Sequence, residues 1–448
     1  MEDRTDTVGL LAELIGRAAR AGADAADAIL VSGTALGVQV RQGRTEELER
    51  SEHNDLGLRV FVGQRSAVVS ATNADPASFD RLAARAVAMA RVVPEDRNAA
   101  LCPQAAPGRF DAEGLDLCDD AEPGIAELTE RAGTAEAAAL AVPGVSNSQG
   151  GSAGFNRTDV TLATSAGFAG RYARTSHSVS ASVLAGQGTA MQRDYDYHGT
   201  VHLSDLDDAA GIGRSAGEKA VARLNPRRPR TGRMPVIYDP RVANSLLGHL
   251  AGAINGASIA RGTSFLKERM DTRILPAGID VVDEPRRPRG PRSKPFDGEG
   301  VRTDTLFLVQ DGYLRSWILD GRSGRQLGLP STGSAARGTS SPPSPFTTNL
   351  RFSNGLTDPA SLMGDIAEGI YITEMMGSAI NGLTGDYSRG ASGFMIRDGV
   401  LAEPVGEFTV AGNLLDMLLR IVPANDLVLR RGTDAPTLRI DDLMVAGA

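Results

Sequence analysis

The chain has 448 residues and a formal net charge of −8 at pH 7, with 41% hydrophobic and 23% charged residues. These values are ordinary for a globular protein and give no general reason to expect nucleic-acid binding. Its two cysteines, Cys102 and Cys118, exclude a disulfide framework and a four-cysteine zinc site. The acidic start MEDRTDTVGLL and the absence of an apolar run of about 20 residues predict neither a signal peptide nor a membrane span, so we expect a cytoplasmic protein.

The first half of the chain predicts helices around an antiparallel meander. Apolar residues at helical spacing predict a helix over 7–21 and another over 75–92, the second capped by Asp75. Between them, apolar and polar residues alternate in runs that end at Gly43 and Gly63, which is typical of hairpins. Further predicted elements are a long loop over about 94–123, a helix near 124–140, strands over 157–203 and a helix over 204–224. This order favours an α+β fold.

The best domain boundary is NPRRPRTGRMP, residues 225–235. We therefore expect a two-layer N-terminal α/β domain over 1–224 and a C-terminal domain over 225–448 rich in antiparallel strands. Its predicted elements are a helix within 246–266, a strand–turn–strand over 305–319, a loop over about 321–347, a helix over 358–376 and a hairpin that turns at Asp398-Gly399.

Two basic, proline-rich stretches, 225–235 and 284–295, invite comparison with phosphate-binding arms. No aromatic residue is interleaved to stack on bases. Solvated connections are therefore the favoured interpretation, and nucleic acid is not an expected partner.

Several other candidates have a structural interpretation beside the functional one. GGSAG places Ser152 in a Gly-x-Ser-x-Gly pattern, but a strand-like run follows it where a nucleophile elbow needs a helix, so we predict a flexible glycine turn. Tyr195 and Tyr197 share a strand face, where they line a groove or simply pack. Four other histidines lack the spacing of metal ligands, so we expect them to be core or surface residues: His53, His177, His198 and His202.

The segment LLGHLAGAINGASIARGTSFL, residues 246–266, contains a lone histidine and three glycines four apart. His249 has no acidic neighbour between Arg241 and Phe265, which indicates a structural role. Three interior glycines cost about 3 kcal/mol of helix stability relative to alanine. Close packing through a stripe of Gly248, Gly252 and Gly256, or an open wall beside a ligand, would offset that cost. We predict that Gly252 faces a closely opposed backbone or a chamber wall.

This segment, together with the blocks MQRDYDY, PFDGEGVRTDTLFL, DGYLRSWILDGRSGRQLGLPSTG, GDYSRGASGF and PVGEFTVAGNLLDM, resembles the TldD/PmbA family, specifically its PmbA (TldE) branch. The resemblance runs from the first helix to the C-terminus in the same order. It implies a cytoplasmic bacterial zinc metalloprotease of two similar subunits, TldD and TldE, that trims unfolded or leader peptides.

The TldD-type subunit carries a His-Glu-x-x-x-His helix shortly before a Gly-Thr-Ser element. Counting back from Gly262, those positions fall here on Leu247, Gly248 and Gly252, none of which binds metal. The resemblance therefore implies a non-catalytic subunit without a metal of its own, and a TldD-like partner that holds zinc.

The glycine-rich family blocks also suggest residues that line an extended peptide, which we expect to bind by strand addition. They are Asn255, Arg261, Thr263, Asn381, Asp386, Tyr387, Ser388 and Arg389. The alternative is that NGLTGDYSRG is a structural turn in which Asp386 and Arg389 pair. Two other functions stay open: a regulatory protein that acts on gyrase or an antitoxin without peptidase activity, and a homodimer in peptide natural-product maturation.

Overall fold

The computed structural model describes residues 6–110, 112 and 114–447. The first five residues, on which the signal-peptide expectation partly depends, and two positions of the predicted loop 94–123 lie outside the described residues. The helices are α1 Thr7–Arg20, α2 Phe79–Val92, α3 Ile125–Leu140, α4 Ala209–Ala222, α5 Pro240–Ala253, α6 Gly256–Ala260, α7 Gly321–Leu327, α8 Pro359–Met363 and α9 Leu414–Leu418. None of these described helices is long and apolar enough to cross a membrane.

The strands come mostly as long hairpins in the first half and as shorter pieces in the second. They are β1 Ala25–Arg41, β2 Arg44–Val62, β3 Arg65–Ala71, β4 Gly108–Phe110, β5 Val145–Thr164, β6 Phe168–Ala185, β7 Gln192–Thr200, β8 Gly232–Tyr238, β9 Val281–Asp283, β10 Leu306–Gln310, β11 Tyr313–Leu314, β12 Ala335–Ala336, β13 Ser344–Pro345, β14 Leu350–Phe352, β15 Glu368–Ile380, β16 Asp386–Arg397, β17 Val400–Asn413, β18 Val422–Pro423, β19 Thr433–Asp434 and β20 Leu438–Ala446.

The first sheet has seven strands in the order β3-β2-β1-β5-β6-β4, and β7 also pairs with β6. Its long strands are antiparallel neighbours, as the meander predicts. Alternate residues of β1, among them Ala26, Ala28 and Leu30, pack with α1 and α2 in one core. The α+β class is confirmed by these mixed layers of helices and antiparallel sheet.

The GGSAG stretch lies inside β5, so the predicted flexible turn is wrong. Its glycines serve packing instead. A Cβ atom at Gly151 would lie 2.1 Å from the Ala132 carbonyl oxygen of α3, which is impossible for a real side chain. The absence of that side chain lets α3 approach the sheet closely. Ser152 sits mid-strand, without the strand-to-helix turn that a nucleophile elbow requires.

The strands of the second half close on themselves around the largest core. The order is β17-β16-β15-β8-β20-β18, and β17 pairs again with β20, which closes five of the strands into a ring. The ring encloses buried side chains such as Val236, Ile370, Val410 and Ile440. A smaller sheet, β11-β10-β9-β14-β19, and helix α5 pack against it. The predicted Asp-Gly hairpins at 311–312 and 398–399 are present.

Three predicted elements differ in the structure. The helix expected over 358–376 is wrong, because only α8 forms there and β15 follows, pairing with β8 and β16. The loop expected over 321–347 contains α7, which Asp320 caps through the Ser323 N–H at 2.8 Å. The helix expected over 204–224 begins only at Ala209.

The two basic stretches carry arginines that are paired with carboxylates of other segments. Arg228 contacts Glu407, and Arg230 donates to Glu368 at 2.8 Å. Arg289 bridges Asp116 and Asp205. Because their charges are compensated within the chain, these arginines do not form a free phosphate-binding surface.

A buried cluster of charges joins the first sheet to the second half of the chain. Asp27 on β1 accepts hydrogen bonds from Arg59 on β2 and, at 2.5 Å, from Arg337. Burial opposes ionisation of Asp27, but the charges of Arg337 and Arg59 keep its pKa below the ordinary value. Arg59 also lies 3.7 Å from Glu299, whose pKa burial raises to about 7.

Candidate functional site at the end of helix α5

Helix α5 has well-defined limits. Asp239 caps it by accepting a hydrogen bond from a first-turn N–H at 2.9 Å, and Pro240 occupies the first position, where no N–H donor is needed. The helix ends at Ala253, and Asn255 then caps the short helix α6. The segment 246–266 therefore contains two helices, so its three glycines do not form one stripe.

The glycines have two different surroundings. Gly248 and Gly252 are exposed, and a Cβ atom at either would meet no other atom within 4 Å. A Cβ atom at Gly256 would lie 2.5 Å from Leu319 Cδ2 and 2.6 Å from the Ser323 hydroxyl oxygen. The predicted close packing at Gly252 is therefore wrong within this chain, and the close approach occurs at Gly256. The alternative of an open wall fits Gly248 and Gly252.

The three positions at which the resemblance places a metal-binding helix do not converge. Leu247 is fully buried in the core of the second half, whereas Gly248 and Gly252 lie on the exposed side. None of the three offers a metal-binding atom or a base.

His249 packs as a neutral ring between α5 and β16. Its ring lies 6.0 Å from that of Tyr387 in an edge-on arrangement, and its Nε2 is buried without a hydrogen-bond partner among the described residues. Burial, together with the charge of Arg389, lowers the pKa of His249 to about 4. A shift of that size keeps the imidazole uncharged near neutral pH.

The turn between β15 and β16 is held by its own polar side chains. Asn381 Oδ1 accepts hydrogen bonds from the N–H groups of Leu383 and Thr384 at 3.0 and 3.3 Å. Asp386 accepts from the Thr384 hydroxyl at 2.6 Å. NGLTGDYSRG therefore contains the structural turn that we considered as the alternative to a peptide-binding segment.

The ion pair between Asp386 and Arg389, which the same alternative predicted, is absent from the described residues. Arg389 donates through Nε to the Gly377 carbonyl oxygen at 2.8 Å, and no contact with Asp386 is formed in the described residues. The turn is also tied to the segment after α6, because the Phe265 N–H donates to the Gly382 carbonyl oxygen at 2.9 Å.

The eight predicted peptide-lining residues are not equivalent. Tyr387 is only 2% exposed and belongs to the core, so its side chain is not available to a peptide. Asn255 is engaged as the α6 cap and donates to the Pro345 carbonyl oxygen at 2.9 Å. Arg389 is half-buried. The exposed ones are Arg261, Thr263, Asn381, Asp386 and Ser388.

Exposed residues of α5, of the segment after α6 and of the turn lie on segments that contact one another. The Ser264 hydroxyl donates to the Ala253 carbonyl oxygen at 2.5 Å, which joins the end of α5 to the segment that contacts the turn. We call the area formed by Gly248, Gly252, residues 261–263 and 381–386 the α5–turn surface. The sequence did not identify two exposed apolar residues here, Leu383 within this surface and Met376 shortly before it in the chain, which are 58% and 50% exposed.

Comparison with known proteins identifies the family. Models of the PmbA/TldA metallopeptidases match residues 26–90 as domain 1, 118–224 as the central domain and 231–447 as the C-terminal domain. The chain belongs to the PmbA/TldE metallopeptidase family.

Two relatives illustrate how far the similarity extends. Metalloprotease PmbA of Escherichia coli O157:H7 is 34% identical over 426 residues, which cover 95% of this chain and 92% of that protein. A PmbA homologue of Haemophilus influenzae is 33% identical over 96% of this chain and 94% of its own length.

Two solved structures share the fold. A putative modulator of DNA gyrase from Bacteroides thetaiotaomicron has a TM-score of 0.90 at 24% identity and covers 100% of both chains. TldE from Thermococcus kodakarensis has a TM-score of 0.84 at 18% identity, with 98% of this chain and 100% of that chain covered.

The zinc that a metallopeptidase family implies does not fit the donors present. Within the described residues, no group of three or more His, Cys, Asp or Glu side chains is placed to hold a metal ion. On α5, His249 is packed against Tyr387 and stands alone. No catalytic step through zinc is therefore assigned to this chain.

Proposed function

We propose that this chain is the non-catalytic, TldE-type subunit of a cytoplasmic zinc metallopeptidase in which a TldD-like partner holds the metal. The substrates are unfolded or leader peptides, and this subunit completes the chamber and helps to hold them. The observation that carries the proposal is helix α5, where exposed glycines occupy the positions of the metal-binding and basic side chains. Similarity to a protein named TldE supports the same assignment.

Metal-dependent peptide hydrolysis needs a metal-activated water and a base that takes its proton. Leu247 and Gly252 supply no ligand, and Gly248 supplies no base. The two requirements are lost together, so no single substitution in α5 restores them.

The structure offers a free strand edge beside this helix. β15 pairs with β8 only over Ile370–Ile372, and beyond that point it pairs with β16 alone in the described residues. An extended peptide can add to such an edge through backbone hydrogen bonds. The exposed side chains of Met376 and Leu383 then supply apolar contacts beside it. On the other side of the ring, β17 pairs with β20 only over Thr409–Ala411, and we expect β15 to accept the peptide because it contacts α5.

The test is reconstitution with a homologue that carries the His-Glu-x-x-x-His helix. We expect chelator-sensitive cleavage of an unstructured peptide by the mixture and none by this chain alone, even with added zinc. Cleavage by this chain alone, abolished by a chelator, would contradict the proposal.

A further inference from the structure

A cavity lies at the N-terminal end of α5, away from the α5–turn surface. It has a volume of about 580 Å³ and is enclosed by α4, the start of α5 and residues 426–435. This volume falls in the range of small-molecule sites. Along the helix, the cavity residue Arg241 lies about 10 Å from Gly248 and about 16 Å from Gly252, since α5 rises about 1.5 Å per residue.

The floor of the cavity consists of charged side chains that are hydrogen-bonded to one another. Asp194 is buried and accepts hydrogen bonds from Arg241 at 2.9 Å and from Arg223 at 3.2 Å. Beside them, the Thr373 hydroxyl oxygen is buried without a hydrogen-bond partner among the described residues. Buried hydroxyls normally have a hydrogen-bond partner, so Thr373 is an unsatisfied polar group at the edge of the cavity floor.

The wall formed by residues 426–435 is held in place before any ligand arrives. Asp434 accepts hydrogen bonds from the backbone N–H groups of Arg430, Arg431 and Gly432, at 3.1, 2.8 and 3.2 Å. A site whose wall is already ordered loses little conformational entropy when it binds.

The cavity wall carries groups of both charges that form no ion pair within the described chain. Arg431 donates through Nε to the Tyr197 hydroxyl at 3.0 Å and forms no ion pair within the described chain. Asp239 and Asp426 accept hydrogen bonds only from hydroxyl and backbone groups, such as the Tyr371 hydroxyl at 2.8 Å. Neither carboxylate forms an ion pair within the described chain, although the Arg241 guanidinium is near enough to Asp239 to interact with its charge.

We propose that this cavity binds a short peptide with free ends, its ammonium group against Asp239 and Asp426 and its carboxylate against Arg431. Apolar side chains of the peptide contact Val428 and Phe394, which also line the cavity. The unpaired acids outnumber the unpaired arginine, so a peptide with a basic side chain binds more tightly than an acidic one. This site goes beyond the proposed function, because it requires neither zinc nor the partner subunit.

The experiment is calorimetric titration of the full chain, purified alone, with the peptide Lys-Ala-Ala. We expect one site per chain, and N-acetylation of the peptide should weaken binding about tenfold or more, since a charge-assisted hydrogen bond is lost. Amidation of its carboxylate should weaken binding severalfold, and Glu-Ala-Ala should bind more weakly than Lys-Ala-Ala. Absence of binding at millimolar peptide, or equal binding of free and blocked peptides, would overturn the proposal.

Variants assign the binding to this cavity. In Arg431→Met, amidation of the peptide carboxylate should no longer change the affinity. In the exposed control Arg302→Met, amidation should weaken binding as it does in the original chain. Ala222→Trp places a large side chain at the exposed mouth and should abolish binding without lowering the urea midpoint. Unchanged binding by Ala222→Trp would show that the peptide sits elsewhere and would overturn the proposal. A failed reconstitution with zinc-bearing partner would leave these results untouched.

Discussion

Substitution of Gly252 by leucine separates the stability of the chain from the use of its α5–turn surface. In the isolated chain, a Cβ atom at this position meets no atom within 4 Å, so the new side chain projects into open space. Leucine is also the better helix former by nearly 1 kcal/mol. We expect the free energy of unfolding of Gly252→Leu to stay unchanged or to rise by up to about 1 kcal/mol.

In the reconstituted peptidase the same leucine should be harmful. If the partner or the peptide lies against the open wall of α5, overpacking there costs about 1–3 kcal/mol, which corresponds to roughly a 5- to 150-fold loss of assembly or of kcat/KM. Gly252→Ala is the matched control, with the gain in helix propensity but little added volume. Gly256→Leu is the opposite control, because its Cβ would clash at 2.5–2.6 Å and should destabilise the isolated chain.

Urea unfolding of each isolated variant and peptide cleavage with the partner give the two measurements. Cleavage by Gly252→Leu at the original rate would refute the assignment of the α5–turn surface to the chamber. A lower unfolding free energy for Gly252→Leu alone would instead show that the wall is not open.

The remaining predictions concern metal and buried charge. Purified alone and dialysed exhaustively, the chain should hold no stoichiometric zinc by metal analysis, and one zinc per chain that is lost in His249→Ala would contradict the absence of a metal-binding donor set in the described residues. Burial raises the pKa of Glu299 from 4.5 to about 7, so its contribution to stability is present below about pH 4.5 and is lost as pH rises through 7, about 3 kcal/mol in all. Urea midpoints from pH 5 to 8 should therefore fall less for Glu299→Gln than for the original chain, and parallel curves would count against this burial effect. Asp27→Ala leaves Arg59 and Arg337 buried without their shared carboxylate and should lower the unfolding free energy by about 3–5 kcal/mol, whereas a loss below about 1 kcal/mol would mean that the cluster is solvated.

Local sequence patterns anticipated much of this fold. The helix over 124–140 and the antiparallel hairpins of the first sheet follow from residue spacing and turn glycines. The failures came where tertiary pairing overrode the local pattern. Residues 368–376 have helical spacing, but their β-branched and aromatic side chains pair with β8 and β16. Gly151 indicated a turn, yet its lack of a side chain permits helix packing on a strand.

The candidate site was less accessible to sequence reasoning. The resemblance located Leu247, Gly248 and Gly252 in the chain, but only the structure shows which of them is buried. The burial of Tyr387 depends on residues far away in sequence, such as Tyr238. The cavity at the start of α5 draws its walls from six separate segments, a juxtaposition that no local motif reports.

The most direct measurement of the central claim uses a TldD-like partner whose metal-helix glutamate is replaced by glutamine. Mixed with the original form of this chain, that partner can still bind zinc and assemble, but it has lost the base that takes the proton from the metal-bound water. Release of fragments from an unstructured peptide should fall to the level of the buffer control. Cleavage at the rate of the fully original mixture would place catalysis in this chain and contradict the non-catalytic assignment of α5.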